Sequence, residues 1–168
     1  KIEYYGLPGL RLGLSGYFGK TQATDDVEDI EGANIGITMV GFDARYAKRR
    51  FTARGQFIYS SLRDTEAYNV LTNRDLGSAL MGYYGEIAYN LLPLNNKQRL
   101  FAFTRYENYD THVAVSGITE NLAYDRTDIT AGLTYMIAPG VAVKGDYQWF
   151  DNASDGNNVK KQMNFGIG

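Results

Sequence analysis

Ten charged residues stand at alternate positions in runs that otherwise carry no charge on one side: Arg11, Asp43, Arg45, Arg54, Glu86, Arg105, Glu107, Asp128, Lys144 and Asp146. Successive side chains of a strand point to opposite faces, so residues two apart share a face. Asp43 and Arg45, Arg105 and Glu107, and Lys144 and Asp146 are each spaced in this way. Two kinds of chemistry are open to such a face. Its cations can form a basic strip that guides anions along a watery wall. Alternatively, its five cations pair with its five anions as ion pairs in the wall, and no charge preference results.

Other polar groups point less sharply. His112 and Ser116 share a segment. They offer a base beside a nucleophile, but no third orienting group can be placed. Catalysis is therefore not expected. The run Asp25-Asp26-Val27-Glu28-Asp29-Ile30-Glu31 clusters carboxylates, which are hard oxygen ligands for a divalent cation. It lacks the spacing of a calcium-binding loop, so a solvated loop is the expectation. The glycines between Gly13 and Gly19 are interrupted by Leu, Ser, Tyr and Phe within a strand pattern. They open no helix and so cradle no phosphate. Lys48-Arg49-Arg50 forms a basic cluster on a tight turn. With no cysteine, neither disulfides nor thiolate metal sites are available, and no metal or cofactor is expected. The net charge of −2 and pI near 5.4 provide no global basic field. Nucleic acid is therefore not an expected partner.

The elements that must position the charged face are strands. Phe42–Tyr59 reads as an antiparallel hairpin: Phe42, Ala44 and Tyr46 alternate with Asp43 and Arg45. After the Lys48-Arg49-Arg50 turn, Phe51, Ala53, Gly55, Phe57 and Tyr59 alternate with Thr52, Arg54 and Gln56. The same pattern predicts strands over about 10–20, 34–47, 51–61, 78–91, 99–110, 126–137, from Val141 to Trp149, and from Lys161. Residues 1–6 read as the end of a further strand. No helical periodicity of useful length appears. Short turns at 7–9, 47–50, 92–97 and 138–140 alternate with long loops at 21–32, 62–76, 111–125 and 151–160. An up-and-down meander with its short turns at one end has this form. The apolar register of these strands contains no Asp, Glu, Lys, Arg or His, although 21% of the chain is charged.

That register must be either a core or a lipid-facing surface. Mean hydropathy is −0.34, and no run reaches the ~18 apolar residues of a membrane helix. A membrane β-strand, however, shows lipid only at every second residue. Strands of ~9–11 residues suit a tilted crossing. Aromatics recur near strand ends (Phe18, Tyr46, Tyr59, Tyr89, Tyr106, Tyr147 and Trp149), as interface girdles do. The expectation is all-β: an antiparallel up-and-down transmembrane β-barrel, residues 1–168 forming one barrel domain of about eight strands. The alternatives are a complete eight-stranded barrel with a salt-bridged, filled interior and a structural or adhesive role, and a soluble lipocalin-like binder.

The segments YYGLPGLRLGLSGYFGK, FDARYAKRRFTARGQFIY and FAFTRYENYD and the ending QMNFGIG resemble the C-terminal half of Gram-negative outer-membrane porins, nearest the phosphate-selective porin family and its relatives. The likeness rests on strand pattern over nearly the whole chain. It implies passive diffusion of small hydrophilic solutes or ions through a water-filled barrel in the bacterial outer membrane, contact with membrane lipid and lipopolysaccharide, and a homotrimer. The ten charged residues would then be pore-lining. Such porins usually end on an aromatic residue, whereas this sequence stops at Gly168 after opening within a strand. The expectation is therefore part of a larger barrel.

Overall fold

The computed structural model describes residues 1–24, 29–154 and 159–168. The chain forms one antiparallel sheet of nine strands whose spatial order is the sequence order. The strands are β1 (Ile2–Tyr4), β2 (Leu10–Thr24), β3 (Asp29–Lys48), β4 (Phe51–Arg63), β5 (Ala79–Asn90), β6 (Arg99–Ala114), β7 (Asp125–Ala138), β8 (Val141–Asn152) and β9 (Lys160–Ile167). A helix, α1 (Thr65–Thr72), follows β4, and a single 3-10 turn at Leu122–Tyr124 precedes β7. The all-β, up-and-down order agrees with the sequence expectation, but the sheet is open and not a barrel: β1 pairs only with β2, and β9 only with β8. A closed eight-stranded barrel with a filled interior is thus not what these strands form.

Several elements are longer than the alternation predicts. β2 and β3 continue far into the supposed 21–32 loop, pairing as far as Thr24 with Asp29. Of the acidic run, Asp25 to Glu28 lie outside the described residues, as do Asp155 to Asn158 of the last loop. β6 runs past the expected end at residue 110 to Ala114, so His112 lies in a strand and not in a loop. The sequence of these extensions lacks a clean apolar alternation, so period-two hydrophobicity cannot mark them. α1 escapes the sequence reading for a related reason. It is eight residues long and starts after Asp64, which has a left-handed backbone and gives no side-chain cap. The sequence does carry Asp64 before it and Glu66 in its first turn, but eight residues are too few for a helical apolar period to stand out.

At the opposite end the turns are tight. Arg49 and Gly140 take the left-handed conformation, with positive φ, that reverses β3 into β4 and β7 into β8. The longer turn after β5 is organised by Asn90, whose Oδ1 accepts from the Leu92 and Leu100 amides at 3.3 and 3.1 Å. Arg50 closes it from the neighbouring hairpin, donating to the carbonyls of Leu91 (2.7 Å) and Leu92 (3.1 Å).

Directly paired residues share a face, so the register assigns every strand position. The ten charged residues all fall on one face. That face is concave. A cavity of about 400 Å³ is lined by Arg54 on β4 and by Asn164 on β9 together. In a flat sheet those strands would lie about 24 Å apart, so the sheet curls around its charged side.

The other face is apolar and bare. Among the described residues the only buried hydrophobic side chains are Ala33, Ile35 and Ala79. Phe18 and Phe165 are about three-quarters exposed, and Leu14, Ile87, Leu133 and Ile129 are about half exposed. A contiguous apolar surface of this extent marks contact with a partner or a membrane.

The apolar band also runs obliquely to the hydrogen-bonded rows. Its limit on the long-loop side is Phe18 on β2, Tyr59 on β4, Tyr106 on β6, Trp149 on β8 and Met163 on β9, with Lys20, Arg63, Asp110, Asp151 and Lys161 beyond it. Followed through the pairing, this edge moves about four same-face rows, or about eight residues, towards the short-turn end over seven strand-to-strand steps. At ~3.4 Å per residue and ~4.8 Å per strand, the band makes an angle of about 40° with the rows.

Candidate functional site

The concave face is built from cross-strand rows. Arg11, Arg45, Arg54, Glu86 and Arg105 are successive partners from β2 to β6. One pleat nearer the long loops, Asp43, Gln56, Tyr84, Glu107 and Asp128 are successive partners from β3 to β7. A basic row therefore abuts an acidic one. Like charges directly opposite each other destabilise a sheet, and Arg11, Arg45 and Arg54 are opposed in this way. The neighbouring carboxylates relieve most of the repulsion.

Four ion pairs absorb eight of the ten charges. Arg54 grips Glu86 with two parallel bonds of 2.9 Å, the strongest geometry for a guanidinium and a carboxylate. Arg105 donates to Glu107 at 2.7 Å. Its guanidinium also lies over the Tyr84 ring, 4.1 Å from the centroid, an attraction of cation for ring face. Lys144 reaches Asp146 at 3.0 Å and sits above the Phe103 ring, while Asn164 donates to the other Asp146 oxygen at 2.9 Å. Arg11 lies 3.4 Å from Asp43, which Lys1 also approaches at 3.0 Å. The Nε groups of Arg11 and Arg105 are shielded from solvent without a partner. Among the described residues, Arg45 and Asp128 make no ion pair. Arg45 is exposed, whereas Asp128 is buried with only a 3.5 Å contact from Gln148.

At the short-turn end of this face lies a cavity of about 580 Å³, lined by Arg45, Arg54 and Arg99 together with Lys48 and Arg49 of the turn. Glu86 is its single carboxylate, already held by Arg54. Phe101 and Phe103 form part of its lining. Arg99 is missing from the ten residues read from the sequence, although its signal is present there. It stands two positions before Phe101 and six before Arg105 on one strand, and so shares their face.

The long-loop end is organised differently. His112 is 2% exposed; its Nε2 is 2.6 Å from the Asp75 carbonyl, and its Nδ1 accepts from the Asn121 amide at 3.1 Å. The Asn121 N–H requires a lone pair on Nδ1, which places the ring proton on Nε2. The ring meets Tyr124 edge-on at 4.6 Å, and the Tyr124 hydroxyl donates to the Asp75 carboxylate at 2.7 Å. That bond raises the Tyr124 phenol above its ordinary pKa. Asn69 of α1 bonds both the amide and the carbonyl of Leu76. Ser116 faces Glu66 at 3.5 Å, and both ring nitrogens of His112 are engaged by backbone groups, so the two residues form no nucleophile–base pair.

No family model matches the chain, and no solved structure matches it. An uncharacterized protein of Aquifex aeolicus (strain VF5) is 36% identical over 90 residues, which is 52% of this chain and 20% of that protein. The matched stretch thus spans about a fifth of that relative's length.

Proposed function

We propose that this chain is wall from a β-barrel of the bacterial outer membrane, with its apolar band in lipid and its charged concave face lining a water-filled path for small hydrophilic solutes. The observation that carries the reading is the oblique band. Strands of a membrane barrel tilt by about 35–45° from its axis, so a band level with the membrane must cross the hydrogen-bonded rows at that angle. The slope of about 40° meets this requirement. A soluble sheet has no reason to keep its exposed apolar side chains on such a diagonal. The open edges β1 and β9 fit the same reading, since a barrel closes only when every edge is paired.

On this reading the wall ion pairs keep the lumen hydrated and close to neutral, and the long loops and α1 gather at one mouth. Lipid and lipopolysaccharide surround the apolar band, as the resemblance to porins implies. Reconstitution of the detergent-extracted native protein into planar bilayers tests the function. Discrete, ohmic conductance steps are expected. A detergent-soluble protein that leaves the bilayer non-conducting at high protein load contradicts a pore.

A further inference from the structure

We propose that the basic cavity at the short-turn end is a binding subsite for an organic carboxylate with an aromatic or aliphatic body. The inference deepens the pore reading and rests on it in one respect, namely that the concave face is wet. Four cations converge there, Arg45, Arg99, Lys48 and Arg49, and among the described residues none of them is in an ion pair. Elsewhere each arginine or lysine of the ten has a carboxylate within 3.4 Å, and Arg126 and Lys160 at the long-loop end, also outside any ion pair among the described residues, share their cavity with Asp128 and Asp151. Repulsion among unpaired like charges raises the energy of the empty site, and an anion relieves it. Convergent charges in a concave, low-dielectric wall also concentrate counter-ions.

The remainder of the lining selects the class of anion. Phe101 and Phe103 line the cavity beside Ala88 and Met136. A hydrated inorganic phosphate gains nothing from that surface. A carboxylate on an apolar body places its charge on the guanidiniums and its carbon on the rings. The cavity volume of about 580 Å³ falls within the range of small-molecule sites and greatly exceeds what a bare oxyanion needs. Thr52 and Thr134 add hydroxyls within the same wall.

The probe is 4-fluorobenzoate, followed by fluorine NMR on the native protein in detergent, where binding is read without any conduction. Neutral 4-fluorobenzamide and inorganic phosphate serve as comparators. Saturable binding of the benzoate is expected, with phosphate at least tenfold weaker and the amide weaker still. Arg45→Gln and Arg99→Gln should each reduce benzoate affinity by about tenfold, as loss of a charge-assisted hydrogen bond does. Arg11→Gln, at a paired position outside the cavity, serves as the control and should change affinity less. Benzoate binding no tighter than the amide or phosphate, or binding indifferent to both Arg45→Gln and Arg99→Gln, overturns the subsite. A non-conducting protein that still binds benzoate with this pattern sinks the pore and leaves the subsite standing. A conducting protein without the pattern does the reverse.

Discussion

The two ends of the sheet handle polar groups in opposite ways. At the long-loop end, His112, Asp75, Asn121, Tyr124 and Asn69 are tied into a network in which both nitrogens of a buried ring and an amide side chain have partners. At the short-turn end, Arg45, Arg49, Lys48 and Arg99 are exposed, converge on one cavity and share no ion pair among the described residues. Buried polar groups are costly unless satisfied, so a satisfied network reads as structure that pins loops. Exposed like charges gathered without counter-ions cost stability and persist where function uses them. The difference separates His112, which the sequence places in a loop without a catalytic partner, from the cations of the cavity, two of which, Lys48 and Arg49, look like an ordinary turn.

The largest effect is expected where the loop-end network is cut. His112→Ala leaves the Asp75 carbonyl and the Asn121 amide without partners, at a cost of about 2–5 kcal/mol in local stability. Faster proteolytic nicking between residues 115 and 124 checks this, and benzoate binding at the far end should be unchanged. Unaltered protease resistance would show that the network does not hold the loop.

Next in size is a contrast between two adjacent arginines. Arg50 bonds two turn carbonyls and lies 5.4 Å from the Tyr89 ring centroid. Arg50→Ala should therefore lower stability by about 1–2 kcal/mol in urea unfolding from lipid vesicles, with little change in anion affinity. Arg49→Ala should do the opposite, weakening benzoate several-fold while stability stays within about 0.5 kcal/mol. Equal behaviour of the two variants would erase the distinction between the structural and the unpaired cation.

Glu86→Gln sharpens the comparison from the paired side. It releases Arg54 from its bidentate partner and adds a free cation to the basic cavity. A several-fold gain in benzoate affinity and greater anion preference in bilayer reversal potentials are expected.

The smallest effect is a pH dependence at the loop end. Tyr124 donates to Asp75, so its folded pKa lies above the unfolded value. The bond's contribution is complete below the ordinary tyrosine range, near pH ~10, and is lost as pH rises through the raised folded value. Tyr124→Phe should remove that contribution at neutral pH, giving slightly weaker loop protection, and should flatten the alkaline limb of the protection profile.

The strands and the charged face are legible in the sequence because alternation is a local signal. Phe42, Ala44 and Tyr46 against Asp43 and Arg45 assign a face with no knowledge of a partner strand. The pairing of charges is not legible. Arg54 and Glu86 are 32 residues apart and meet only because β4 and β5 share a register. Nor is the excess of cations at one end, since counting five against five on the whole face hides where the unpaired ones gather. His112 reads as a loop residue because β6 continues beyond its apolar alternation to Ala114, and burial there comes from loops that carry no periodic pattern.

The central claim is that the apolar face meets lipid and the charged face meets water. The chain has no cysteine, so single cysteines for spin labels can be placed cleanly along β5 at Tyr83, Ile87 and Tyr89 and at Tyr84, Glu86 and Ala88. Collision with oxygen, which concentrates in bilayers, is compared with collision with a water-soluble nickel chelate, in native protein in vesicles. Oxygen should dominate at 83, 87 and 89 and the chelate at 84, 86 and 88. Chelate access at 83, 87 and 89, or no alternation at all, would contradict a membrane-spanning wall.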